Sequence, residues 1–139
     1  MDILAHLLPH PALIVLDEVQ IDEANTRIIC TASALGATAS CPVCHDSSIR
    51  IHSHYRRSLA DLPWAGIPVR LQLHVRRFFC DHAACRRKIF SERLPTVAAP
   101  WARRTCRLAE SQQSIGLAAG GAGGGRLCTA LAMPAGTDL

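Results

Sequence analysis

The sequence is poor in large aromatic residues, and no apolar stretch in it is long. Its 139 residues include three Phe, two Trp and one Tyr, and a core this short of large side chains usually needs a cross-link. No apolar run approaches the roughly 20 residues that span a bilayer, so we expect no membrane segment. No basic segment precedes the first apolar residues, which argues against a secretory signal.

Cysteine supplies a cross-link, although not as a set of disulfides. The chain has seven cysteines, and an odd number argues against a complete disulfide framework, so we expect a reducing, cytoplasmic setting. Four of them form two close pairs, CPVC and CDHAAC. Two such pairs on turns provide the four thiolates of a tetrahedral zinc site. The spacing predicts a structural Zn²⁺ ion bound by Cys41, Cys44, Cys80 and Cys85.

Other interpretations of these residues stay open. His45 or His82 would replace one of the cysteines as a ligand, because imidazole also binds zinc. A thioredoxin-like role for CPVC requires the motif to open a helix, and the alternating pattern downstream argues against that. Cys30, Cys106 and Cys128 have no close partner in sequence and are interpreted as buried, small apolar residues.

Residue patterns predict an α+β fold in three parts. Residues 1–40 contain two β-branched runs around DEAN, which predict a β-hairpin with Asn25 at a positive φ. Residues 41–95 form the zinc-ribbon-like β module, and residues 96–139 the α-helical segment. Within the module, period-two alternation predicts two half-buried strands with DLPWAGIP as the loop between them. The predicted inward residues are Ile49, Ile51 and Tyr55 on the first strand and Val69, Leu71, Leu73 and Val75 on the second.

The predicted helices lie after Pro95. One runs from Pro100 to about Ala119, with Trp101, Leu108 and Ile115 as its apolar stripe. GGAGGG then breaks the helix, and a second, short helix over residues 125–133 stops at Pro134.

Charge is unevenly distributed along the chain. The net charge is −4 over residues 1–40, +6 over 41–95 and +2 over 96–139, and fourteen of the fifteen basic residues are Arg. Arginine suits phosphate oxygens and guanine edges better than lysine does. The predicted double-stranded DNA contacts lie on the strand faces and at a strand end: Arg56, Arg57, Arg70, Arg76 and Arg77. The alternative is an ordinary solvated basic face.

The cysteine pairs and the residues between them carry a family resemblance. CPVC, RIHSHYRRSLADLPWAGIPVRLQLHVRRFFC and CRRKIFSERLP occur in that order. This pattern resembles the N-terminal zinc finger of bacterial insertion-sequence transposases of the ISL-three type. APWARRTCRLAE and GGGRLCTALAMP are similar to the first two helices of the helix-turn-helix that follows it in that family.

The resemblance implies a function for the module. It would bind the terminal inverted repeats of a transposon during DNA transposition. The third, base-reading helix would begin near Thr137 and Asp138, and the catalytic domain with its acidic triad would lie beyond Leu139. We therefore expect a DNA-binding fragment that is not an enzyme on its own. The alternative is a zinc-stabilised module for protein contact, such as dimerisation, with no direct DNA contact. In that family Asp61 and Glu92 are better interpreted as turn and salt-bridge groups than as catalytic carboxylates.

Overall fold

The computed structural model describes residues 3–133, except for the side chain of Ala5. The elements in chain order are α1 (Ile3–His6), β1 (Ile14–Asp22), β2 (Arg27–Ala34), β3 (Ala39–Ser40), β4 (Ser47–Ser48), β5 (Ile51–Trp64), β6 (Ile67–Phe79), β7 (Ile89–Ser91), α2 (Cys106–Ala119) and α3 (Gly121–Ala130). The fold is α+β, as predicted. Among the described residues, no helix has the length and apolar character needed to cross a membrane.

One five-stranded sheet organises the chain. Its strand order is β1-β2-β6-β5, and β7 also pairs with β6. The predicted N-terminal hairpin is present as β1 and β2, although the residue with positive φ in its turn is Thr26 and not Asn25. Strand β2 pairs in parallel with β6. The N-terminal hairpin and the zinc-ligand segment therefore share one sheet, across the predicted boundary at residue 40.

The long β5–β6 hairpin is more regular than the sequence suggested. Most of the predicted loop DLPWAGIP is strand, and only Ala65 and Gly66 lie between β5 and β6. Both have positive φ, 50° and 79°, which is the requirement of a two-residue type I′ turn. The inward positions are as predicted on β6, where the buried residues are Val69, Leu71, Leu73 and Val75.

At the start of β5 the predicted facing is wrong. Ile49 and Ile51, expected to point inward, are 70% and 43% exposed. The register shifts between Ile51 and Ser53, and such a bulge changes the side to which the following residues point.

The C-terminal helices also depart from the prediction. Residues 100–104 are not helical, and α2 begins at Cys106. Thr105 caps it, because its hydroxyl accepts a hydrogen bond from the Leu108 N–H. The first helix ends at Ala119 and Gly120 breaks it, as predicted, but the glycines that follow begin α3 at Gly121 instead of forming a loop. Pro134 and the expected third helix near Thr137 lie outside the described residues.

The glycines of α3 have a packing role. A Cβ added at Gly124 would lie 3.0 Å from the Gly116 Cα on α2. The two helices therefore approach more closely here than any larger residue permits. Beneath them, the small cluster of Leu108, Cys128 and Met133 packs against Ala60 and Leu62 of β5.

A buried ion pair joins α2 to the sheet. The Asp61 side chain is 3% exposed and accepts hydrogen bonds from Arg107 Nε and Nη2, at 2.8 and 2.6 Å. Thr105 Oγ1 donates a third, at 2.8 Å. Asp61 was interpreted as a turn or salt-bridge group: it forms a salt bridge, but it lies within β5 and not in a turn.

Candidate metal centre and basic cleft

The first cysteine pair lies on a tight turn between β3 and β4. The Cys41 N–H donates to the Asp46 carbonyl at 3.0 Å, and the His45 N–H donates to the Cys41 carbonyl at 2.8 Å. His45 closes the turn with a φ of 65°. Because β3 and β4 pair antiparallel, the turn projects from their shared end, and the Sγ atoms of Cys41 and Cys44 lie within 4.8 Å of each other.

The second cysteine pair lies between β6 and β7. The Cys80 N–H donates to the Lys88 carbonyl at 2.9 Å, and the Cys85 N–H to the His82 carbonyl at 3.0 Å. Strand β7 returns antiparallel to β6, with Phe78 opposite Phe90. This pairing holds Cys80 and Cys85 on one connection, which faces the first turn.

The four sulfurs form a compact group. All four Sγ atoms lie within 4.8 Å of one another, with Cys41 to Cys85 at 3.9 Å and Cys44 to Cys80 at 3.6 Å. A tetrahedron with Zn–S bonds of about 2.3 Å has sulfurs roughly 3.8 Å apart, so the spacing fits zinc. A disulfide needs about 2.05 Å, and all seven cysteines are free thiols. The residues present therefore fit a four-thiolate zinc ion.

The thiols also differ in acidity. Burial raises the pKa of Cys41, but amide donors from Cys44 and Val43 and the thiols of Cys44 and Cys80 outweigh burial and lower that pKa to about 7. For Cys44, the Asp46 amide lowers the pKa, yet burial and the neighbouring thiols raise it to about 12. A bound metal cation would stabilise the thiolate form of all four cysteines, because it replaces their protons.

Aromatic packing and ion pairs surround the sulfurs. Phe78 and Phe90 stack with ring centroids 5.9 Å apart and form one apolar cluster with the cysteines. His82 Nδ1 lies 2.8 Å from Asp46 Oδ2, which links the two turns across the site. Among the described residues the ligand group consists of the four cysteines, so neither His82 nor His45 joins it.

A cleft lies beside the metal centre, between the β5–β6 hairpin and residues 91–101. Its volume is about 420 Å³. Four arginines line it: Arg57, Arg77, Arg87 and Arg93. Two aromatic residues, Tyr55 and Trp101, line it as well. The zinc-ligand connection and β7 bring Arg87 and Arg93 to the two strands that carry Arg57 and Arg77.

Two of the five predicted contact arginines lie in this cleft. Arg77 packs over Tyr55, with its guanidinium carbon 4.2 Å from the ring centroid. Arg57 Nη2 donates to the carbonyls of Ala99 and Ala102, at 2.9 and 3.0 Å. Arg57 therefore fixes the loop that carries Trp101 and keeps its charge at the cleft wall.

The other three predicted arginines do not join them. Arg56 and Arg70 alternate with the core residues and lie on the opposite face of the sheet, where Arg70 Nη1 donates to Ser58 Oγ. Burial, followed by the nearby Arg27 charge, lowers the pKa of Arg70. The predicted set is thus divided between two faces.

Arg76, expected to be free for phosphate, is a structural residue. Its Nε and Nη2 donate to the two oxygens of Glu92, and its Nη1 donates to the Gly36 carbonyl. The Arg76 side chain is 14% exposed and that of Glu92 is 5% exposed. The interpretation of Glu92 as a salt-bridge group is confirmed. Each guanidinium nitrogen of Arg76 thus donates one hydrogen bond to a protein acceptor, and its charge is paired with Glu92.

Three residues of the cleft were not predicted from sequence. Arg87 and Arg93 follow the second cysteine pair, and only the return of β7 brings them near Arg77. Trp101 was assigned to a helix stripe, but it is 92% exposed. The weak signal for it was Pro100, which favours a turn as readily as a first helical turn.

The sulfur geometry defines the class of this segment: a zinc ribbon, in which two turns at the ends of paired strands bind one structural metal ion. Residues 37–85 match the family model described as the zinc-finger of transposase IS204/IS1001/IS1096/IS1165. The matched segment covers about a third of the chain, includes all four ligands and is similar to that transposase zinc finger. It is not itself a catalytic domain. Neither the curated proteins nor the solved structures contain a match to the chain.

Proposed function

We propose that this chain binds double-stranded DNA through the arginine-lined cleft and recognises the terminal inverted repeats of an insertion sequence during transposition. The observation that carries the proposal is the gathering of Arg57, Arg77, Arg87 and Arg93 on one concave surface. The transposase-type zinc ribbon beside the cleft supports it.

The charge of the cleft is not neutralised locally. Of the fourteen arginines, four form an ion pair with a carboxylate within residues 3–133, and none of those four is a cleft arginine. Glu92 also borders the cleft, but its carboxylate is engaged by Arg76. Arginine forks bind phosphate oxygens in pairs, and a polyanion supplies the charge that the protein lacks here.

The metal centre determines where the cleft arginines lie. Arg77 is three residues before Cys80, and Arg87 is two residues after Cys85. Because zinc would hold both cysteines against the first turn, it would hold the ends of β6 and β7 at a constant separation. The zinc ion then contributes to DNA binding by positioning cationic side chains, with no chemical step of its own.

Salt dependence tests the proposal. The purified zinc-loaded chain is titrated against a labelled duplex, with fluorescence anisotropy as the readout. If the cleft arginines neutralise four phosphates, log K falls with log salt with a slope of about −3.6, a loss of roughly a hundredfold from about 50 to 200 mM salt. A flat response excludes phosphate binding and leaves the protein-contact alternative.

A variant pair locates the binding surface. We expect Arg77→Ala/Arg93→Ala to reduce the slope by about 2. Arg56→Ala/Arg126→Ala removes two exposed arginines outside the cleft and is the matched control. If the control variant loses as much affinity, the cleft is not the binding surface. Sedimentation of both variants reports any change in self-association.

End recognition requires a sequence comparison. The element's terminal inverted repeat is compared with a scrambled duplex of equal length and composition, at one salt concentration. A specific site binds more tightly than its scrambled counterpart, because base-edge contacts or DNA shape add to the phosphate term. Equal affinities would restrict the function to non-specific DNA binding.

A further inference from the structure

Trp101 is unusual in both its exposure and its backbone conformation. Its side chain is 92% exposed, at the edge of the arginine-lined cleft. A lone exposed aromatic residue needs no explanation by itself. The backbone of Trp101 does call for one, because its φ is 65°, in the left-handed region that bulky residues rarely adopt.

The turn around Trp101 explains the conformation. The Ala102 N–H donates to the Ala99 carbonyl at 3.2 Å, which closes a β-turn with Pro100 and Trp101 at its centre. Pro before a residue of positive φ is the arrangement of a type II turn, whose third position favours Gly or Asn. A tryptophan at this position is strained, and strain of this kind is concentrated at functional sites.

The surroundings hold in place the turn that carries Trp101. Arg57 donates to both carbonyls of the turn, Ala99 and Ala102, so the turn is tied to the cleft wall. Tyr55, the other aromatic residue of the cleft, is covered by the Arg77 guanidinium. Trp101 therefore provides the open aromatic surface of the cleft, and cationic side chains lie beside it.

The cleft is of a size for one nucleotide. Its volume of about 420 Å³ lies toward the lower end of the range of roughly 300–1,000 Å³ typical of small-ligand pockets. A cleft of this volume cannot enclose a double helix, whose backbone would contact the arginines at its rim, whereas one unpaired nucleotide fits inside. Aromatic stacking on bases next to a basic groove is the usual way in which proteins hold unpaired DNA without reading its sequence.

We infer that the cleft holds one unpaired DNA nucleotide, whose flanking phosphates contact the four arginines while its base stacks on Trp101. The inference rests on the proposed DNA binding and adds to it a preference for DNA with an unpaired nucleotide next to a duplex.

Two labelled duplexes of identical sequence test this preference, one blunt and one with a short single-stranded extension. We expect the extension to tighten binding by roughly fivefold to a hundredfold, the range that one stacked base provides. In a Trp64→Phe background, where Trp101 is the remaining tryptophan, the extended duplex quenches its fluorescence and the blunt duplex does not.

Substitutions at Trp101 separate stacking from folding. Trp101→Ala brings the affinity ratio of extended to blunt duplex to about one, and Trp101→Phe retains most of the preference because it keeps an aromatic face. Trp101→Gly suits the positive φ, so a loss of preference in that variant does not arise from misfolding. Arg103→Ala/Arg126→Ala, which removes two exposed arginines outside the cleft, keeps the ratio of the unsubstituted chain.

The outcomes distinguish the two proposals. Equal binding of blunt and extended duplexes, with no response of Trp101 fluorescence, overturns the nucleotide inference and leaves duplex binding intact. No binding of either duplex overturns both. A preference that survives in Trp101→Gly refutes stacking on this ring.

Discussion

Arg76 and Arg77 are adjacent in sequence, yet the structure places them in different surroundings. Substituting each with alanine should separate an effect on stability from an effect on DNA binding. Glu92 accepts hydrogen bonds from the Arg76 backbone N–H, Nε and Nη2, at 2.8, 3.1 and 2.9 Å. In Arg76→Ala the side-chain donors Nε and Nη2 are lost, and of these three donors the backbone N–H remains. The Glu92 carboxylate that they bind is 5% exposed. We therefore expect a large loss of stability from a residue that lies outside the proposed DNA surface.

The magnitude follows from the burial of Glu92. Removing one partner of a buried ion pair costs about 3–5 kcal/mol, and the retained backbone N–H places this case near 3 kcal/mol. For a chain of this length that corresponds to a fall in melting temperature of roughly 10 °C. Arg77→Ala removes a cation–π contact with Tyr55, which contributes at most about 1 kcal/mol at a partly exposed site.

Two measurements on each variant check this division. Thermal unfolding, followed by circular dichroism at constant zinc, should show the large shift in Arg76→Ala and a small one in Arg77→Ala. Duplex binding, measured well below the melting temperature, should show the reverse, with the salt slope reduced by about 1 in Arg77→Ala alone. The reasoning is refuted if Arg76→Ala melts like the unsubstituted chain, or if its salt slope falls as that of Arg77→Ala does.

Three further predictions concern the metal and the helices. The chain should hold one zinc ion, and a strong chelator should abolish cooperative unfolding of the ribbon. The reason is that structural zinc contributes about 10–16 kcal/mol of apparent binding free energy. Metal analysis that finds less than one zinc ion per chain contradicts this prediction. Gly124→Ala should lose stability because its Cβ meets Gly116, by about 1–3 kcal/mol, whereas Gly125→Ala, with open space around it, should gain up to about 1 kcal/mol. Equal urea midpoints for this pair would show that the helices do not cross closely. Arg107→Ala leaves the buried Asp61 without its main partner and should lower the free energy of unfolding by about 3–5 kcal/mol. Adding Asp61→Leu to the same chain should restore much of this loss. An unaltered melting temperature in Arg107→Ala would contradict the pairing.

Local sequence patterns predicted much of the fold. The period-two alternation of β6 predicted its buried residues because each side chain of a strand points to the face opposite its neighbour. The same rule failed at Ile51, because a bulge inserts a residue and no residue type announces it. The helix prediction failed over residues 121–124 for a different reason. Glycine is a poor helix former by itself, and only the close packing of Gly124 on Gly116 compensates for that.

The sequence by itself determined the zinc ligands, because two close cysteine pairs are local motifs and thiolates have few other uses at that spacing. It also showed an excess of arginine, without indicating which of them share a surface. Only the tertiary structure decided that. Sheet pairing directed Arg76 to Glu92 and Arg77 to the cleft, and the return of β7 added Arg93. These placements depend on residues that are distant in the chain. The order of charges along the sequence does not show which carboxylate will be buried beside which arginine.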